Sequence, residues 1–232
     1  MAFWWDSYEK KAVVAPAILI LLPYAILQGY FLNVKIDGFE HLFDILKELS
    51  KVALPFVFLY FVTSTARLIG KSIFEHLFFK DSLHLPTTSF LLYSDKTLSI
   101  SNKKAIRAKI EAEFPIRLLS ENKEAADELE ARRTINDAVG HIRQKLKGGH
   151  MILKRNIQYG FWRNLIGGSV IAFANSLVNI FIFKYFEPQS AALWLSSTLA
   201  FIYASLLLSS KWAIGRLGRI YAKTLYEEYV IS

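Results

Sequence analysis

The chain has 232 residues, of which 53% are hydrophobic and 21% charged, with a formal net charge of +8 and no cysteine. The missing cysteine excludes disulfides, thiolate catalysis and cysteine zinc sites. The apolar residues stand in blocks rather than in the spaced pattern of a soluble core, so lipid is the sink for them.

Four blocks stand out, at residues 12–32, 52–69, 165–186 and 191–210. Each has about the 20 helical residues that cross a bilayer core. The pattern predicts an all-α membrane protein. Its four transmembrane helices form two hairpins that flank a small, mostly helical cytosolic domain. The expected organisation is an N-terminal hairpin (1–70), a cytosolic domain (71–163), and a C-terminal hairpin with a cytosolic tail (164–232).

In chain order, Phe3, Trp4 and Trp5 read as an interface anchor. The first block is too long for a signal peptide and is followed by no small-x-small cleavage pattern, so it reads as a retained span. It contains Pro16 and Pro23, with Pro23 the expected kink. Phe39, Leu42, Phe43, Leu46 and Leu49 fall at helical spacing, which predicts an outer amphipathic helix over 39–50. The second span ends near Arg67, placed to snorkel to the inner headgroups. Residues 84–100 are too short in their apolar runs to choose between a small hairpin and an extended strap. Ser99 or Ser101 caps a helix with Ile106 and Ile110 inward that ends before Pro115.

A single long helix is expected over 121–147. Ser120 stands as its cap, acidic residues crowd its start, basic residues its end, and Gly148 and Gly149 follow. Leu129, Ile135, Val139, Ile142 and Leu146 make one apolar stripe interrupted by Arg132. These six residues are the candidate cytosolic interaction face, packing on the preceding helix or on a second subunit. A further helix from 151 leads into the third span past Tyr159, Phe161 and Trp162. The tail after Ser210 stays amphipathic.

Charge sets the expected orientation. Residues 71–163 hold 17 Lys/Arg against 11 Asp/Glu, while the 33–51 connection is slightly acidic. Positive segments stay inside, so both termini and the middle region are expected in the cytoplasm, as in a multi-pass membrane protein. The basicity also suits anionic lipid. It is weak support for nucleic acid, which stays a minor alternative partner.

No motif for catalysis stands out. His41, His76, His84, His141 and His150 show no metal-ligand spacing, and no phosphate loop or nucleophile elbow is present. No cofactor or metal is expected. The most informative polar pattern lies in the third span. Asn164, Gly168, Ala172, Asn175, Ser176 and Asn179 recur every three or four residues and share one face. In lipid such a face must be hidden, either by helix packing with interhelical hydrogen bonds or at a water-accessible oligomer axis. Ser196, Ala200 and Ala204 give the fourth span a row of small residues.

Three segments carry a resemblance: LPTTSFLL (85–92), ARRTINDAVGHIRQKLKGG (131–149) and YGFWRNLIGGS (159–169). With the two-hairpin arrangement, the chain resembles the small multi-span effectors of bacterial anti-phage systems. That resemblance implies a non-enzymatic inner-membrane effector, or a channel-like homo-oligomer, controlled through its cytosolic domain by a protein or ribonucleoprotein partner and acting by membrane disruption. The alternative is a membrane scaffold that anchors a cytosolic enzyme or nucleoprotein complex.

Overall fold

The computed structural model describes residues 7–31 and 57–232. The expected outer helix at 39–50 and the anchor at Phe3–Trp5 lie outside these residues. The regular elements among the described residues are all helices, with no strand. The helices are α1 (Glu9–Tyr30), α2 (Val57–Phe79), α3 (Pro86–Ser89), α4 (Ile100–Glu113), α5 (Glu121–Ala126), α6 (Glu128–Lys145), α7 (His150–Tyr185), α8 (Ser190–Leu208) and α9 (Ser210–Ile231). Among them α1, α2, α7 and α8 are long and apolar enough to cross a membrane.

The described residues belong to two compact units. One comprises the chain up to Phe74 with Gly160–Lys211, and the other Glu75–Tyr159 with Trp212–Ser232.

In the first unit, both prolines disturb α1. Proline has no N–H and its ring crowds the carbonyl four residues back. Ahead of Pro16 the helix widens into a π segment, Glu9–Val14, and the Ala15 N–H reaches the Lys10 carbonyl, five residues back. Ahead of Pro23 the helix breaks at Leu21. The expected kink at Pro23 is therefore one of two irregularities. A second π segment, Ile69–Glu75, interrupts α2. Among the four candidate spans α7 has the largest buried share, at 44% of its apolar window against 17% for α2. It is the one the others lean on. Ala17, Ile20, Val62, Ala66, Leu165, Ala172 and Tyr203 form the shared core.

One crossing explains a glycine pair. A Cβ at Gly167 would run into the Ala66 carbonyl and the Gly70 backbone, and a Cβ at Gly70 would stand 2.6 Å from the Arg163 carbonyl. Here α2 and α7 touch backbone to backbone, which only glycine allows.

In the second unit, α4, α6 and α9 enclose one apolar core with Leu91 and Leu92 at its centre. Residues 84–100 adopt neither a hairpin nor an extended strap. The Asp81 carboxylate accepts from the Leu83 and His84 N–H groups and starts a short 3-10 turn. Pro86 then opens α3, the first helical position being where its missing N–H costs nothing. Ser99 caps α4 by accepting from the Asn102 N–H, and Ile106 and Ile110 are buried.

The single helix expected over 121–147 is a correction. The chain breaks at Asp127, with φ −141° and ψ 83°. Aspartate competes for backbone N–H groups, and the Asp127 side chain accepts from the Glu130 N–H to cap a new helix, α6. That helix ends at Lys145, and Gly148 takes the left-handed conformation at φ 104°. The start of α7 is capped from a distance, since the Glu228 carboxylate on α9 accepts from the Ile152 N–H at 3.1 Å.

Candidate functional site: a polar seam along the first span

Three side chains converge on the backbone of α1. Pro16 cannot donate to the Ala12 carbonyl, and Asn164 Nδ2 on α7 donates to it instead, at 2.7 Å. Pro23 cannot donate to the Leu19 carbonyl, and the Tyr203 hydroxyl on α8 donates there, at 2.6 Å. The Pro23 carbonyl itself accepts from Asn179 Nδ2 at 2.7 Å. A carbonyl left unpaired in hydrocarbon costs several kcal/mol. The bonds to Ala12 and Leu19 therefore answer defects that the prolines create, while the Asn179 bond falls on the carbonyl of Pro23 itself.

The acceptors stand at residues 12, 19 and 23, seven and four apart. They lie along one face of α1, as the donors Asn164 and Asn179 lie along one face of α7. Asn164 and Asn179 are buried, yet their Oδ1 atoms accept no hydrogen bond among the described residues. Ser169 and Ser176 turn their hydroxyls back to the carbonyls of Leu165 and Ala172 on their own helix.

The remaining members of the predicted stripe divide. Gly168 faces the Ile20 side chain, and a Cβ there would overlap it. Ala172 and Ser176 are buried. Asn175 is half-buried, and its side chain makes no hydrogen bond among the described residues. The α7 face is thus filled within the chain at Asn164, Gly168, Ala172, Ser176 and Asn179.

In the second unit, Ile135, Val139, Ile142 and Leu146 are buried in the core. Leu129 is exposed, because it sits in the first turn after the Asp127 break. Arg132 pairs with Glu128 at 2.7 Å and donates to the Leu83 carbonyl at 3.0 Å. The α6 stripe is covered by α4 and by Ala222, Leu225, Tyr226 and Tyr229 of α9.

Sequence reasoning missed the polar knot beneath this core. Lys103, Arg107 and Glu124 are only 4–6% exposed. Lys103 Nζ donates to the carbonyls of Leu92, at 2.6 Å, and Asp95. Arg107 donates to those of Leu91, at 2.8 Å, and Leu119, and lies 3.6 Å from Glu124 and 4.3 Å from the centre of the Tyr93 ring. Glu124 also accepts from the Tyr93 N–H. Two cations thereby hold a non-helical stretch whose carbonyls lack a ladder. Burial pulls the Lys103 ammonium below its ordinary value, against the opposing pull of Asp95 and Glu124. The signal was present in the spacing, since residues 103, 106, 107 and 110 share one helix face. Around LPTTSFLL, the Tyr226 hydroxyl donates to the Thr87 carbonyl and Arg143 to the Thr87 hydroxyl. Burial pushes the Tyr226 phenol up.

Among the described residues no three His, Asp or Glu side chains gather in a group that could hold a metal ion. Comparison with protein-family models, with curated proteins and with solved structures finds no match to this chain. The class the fold defines is, among the described residues, an all-helical architecture with four helices fit to cross a membrane. Within that fold α1 is broken at two prolines and tied by side chains of α7 and α8.

Proposed function

We propose that the protein is a non-enzymatic effector of the bacterial inner membrane that becomes channel-like on activation and works as a homo-oligomer. In this reading the α1–α2 and α7–α8 pairs are transmembrane hairpins. The unit of Glu75–Tyr159 with Trp212–Ser232 is cytosolic, and a protein or ribonucleoprotein partner acts on it. The termini face the cytoplasm.

The observation that carries the reading is the seam along α1. An anchor needs only plain apolar helices. Irregular backbone at membrane depth is tolerated where protein buries it or where it lines a water-filled path. The carbonyls of Ala12, Leu19 and Pro23 are held by three side-chain bonds, each worth about 0.6 kcal/mol on average in membranes. Ties of that size are reversible. Their release turns a row of carbonyl oxygens and two carboxamides toward one path, the kind of lining that carries cations. Asn175 supports a second copy, because a half-buried amide without a partner among the described residues seeks one in lipid. The likeness in architecture to anti-phage effectors gives the biological setting, membrane disruption during infection.

The test is membrane potential on expression, read with a voltage-sensitive dye, for the chain alone and with its genomic neighbours. Asn164→Leu combined with Asn179→Leu removes two ties while making α7 more apolar, and depolarisation without stimulus is expected. Full potential in every case, with stable co-purification of a cytosolic neighbour, moves the assignment to the scaffold. A reporter fused after Ser232 that reads as periplasmic refutes the orientation.

A further inference from the structure

Away from the seam, a groove of about 450 Å³ runs between α1 and α2. Arg67, Lys71 and Glu9 line one part of it, and Val13, Val14 and Leu59 another. Leu59 precedes Arg67 by eight residues, about 12 Å along a helix. The groove therefore pairs a charged end with an apolar run on the same two helices.

The charged end is arranged for an anion. Arg67 Nη2 donates to both Glu9 carboxylate oxygens, at 3.1 and 3.0 Å. Glu9 orients the guanidinium, whose Nε and Nη1 have no hydrogen-bond partner among the described residues. Lys71 is exposed and makes no ion pair among them. Two cations against one carboxylate leave an excess positive charge beside a fork of planar donors, the geometry that suits phosphate. A soluble anion would leave the apolar run unused. A zwitterionic lipid would set its own cation beside Lys71.

We propose that this groove holds one anionic phospholipid, with its phosphate on Arg67 and Lys71 and an acyl chain along Val13, Val14 and Leu59. The inference rests on α1 and α2 being membrane spans. Each cation contributes roughly a fivefold gain in affinity for an anionic surface, and the oriented Arg67 fork makes the site selective for the headgroup.

The experiment uses the full chain, purified in mild detergent, delipidated, and placed in nanodiscs of phosphatidylcholine with or without phosphatidylglycerol. Native mass spectrometry counts retained lipid, and thermal unfolding reports its effect. Wild type is expected to retain one phosphatidylglycerol and to gain thermal stability from it. Arg67→Gln with Lys71→Gln should weaken retention about fivefold per cation removed. Leu59→Trp fills the apolar run without touching a charge and should also displace the lipid. Lys96→Gln with Lys104→Gln, on exposed lysines of the second unit, should change nothing, and inorganic phosphate should not substitute for the lipid. Equal retention by wild type and both groove variants overturns the proposal, as does equal affinity for phosphatidylcholine. A chain that takes up lipid only after residues 2–6 are deleted overturns it too, by showing a protein occupant. Release of the protein from cell membranes by alkaline carbonate would sink the membrane reading itself, whereas firm insertion without lipid preference sinks only the site.

Discussion

Asn164 donates from Nδ2 to the carbonyl of Ala12, and Ala12 is the residue whose helical partner is taken away by Pro16. A local defect in one helix is answered by a side chain 152 residues away in sequence. The same logic joins Tyr203 to Leu19 across the defect at Pro23.

A double-mutant cycle tests that pairing. Asn164→Leu alone should destabilise the protein in detergent by about 0.6–1.7 kcal/mol. In a Pro16→Ala background the backbone N–H returns to the Ala12 carbonyl, so the loss from Asn164→Leu should shrink. Tyr203→Phe with Pro23→Ala should behave alike. Strict additivity of both pairs in thermal unfolding would show that the bonds do not answer the prolines.

The crossing of α2 and α7 predicts a steep glycine effect. Gly167→Ala drives a methyl into the backbone of Ala66 and Gly70, and separating the helices should cost about 1–3 kcal/mol. Gly215→Ala meets nothing closer than the Arg219 side chain at 4.0 Å and should be neutral. Equal melting temperatures for the two variants would rule out the close approach.

The buried knot in the second unit predicts an asymmetric response at Glu124. Glu124→Ala leaves the Arg107 and Lys103 charges buried without their carboxylate, at a cost of about 3–5 kcal/mol. Glu124→Gln should cost less, since an amide oxygen still accepts from the Tyr93 N–H. Denaturant unfolding of the full chain ranks the two, and equal losses would deny the Tyr93 hydrogen bond a part in the effect.

Acid should loosen the second unit through its surface pairs. Lys145, donating at 2.7 Å, holds the Glu113 carboxyl below its ordinary value of 4.5. His84 does the same for Asp81, ordinarily at 3.8. A carboxyl lowered in the fold stabilises it above the ordinary value, and that stabilisation fades as pH falls through the lowered one. Melting temperature should therefore fall on acidification below 4.5, and more gently in Glu113→Gln. Parallel pH profiles for variant and wild type would remove Glu113 from the account.

Local chemistry wrote much of this fold into the sequence. The four apolar blocks, a serine cap at Ser99 or Ser101, the Gly148 stop and the inward Ile106 and Ile110 follow from hydropathy, capping and helical period. Each is decided within a few residues of itself. The polar row Asn164–Asn179 was legible as a face that lipid would not accept, and the two prolines as defects needing repair. Which donor repairs which carbonyl was not legible. That depends on the rotation and register of α7 and α8 against α1, set by contacts such as Gly168 against Ile20, 148 residues apart. The break at Asp127 shows the same divide. Ser120, the early acidic residues and the terminal glycines all favoured one helix. Burial of Glu124 against Arg107, together with the Asp127 cap, gave two. Period and propensity act along the chain, so the sequence determined which segments are helices and which faces are polar. Pairing of buried polar groups acts across it, so only the tertiary structure decided where α1 is tied and what covers the stripe of α6.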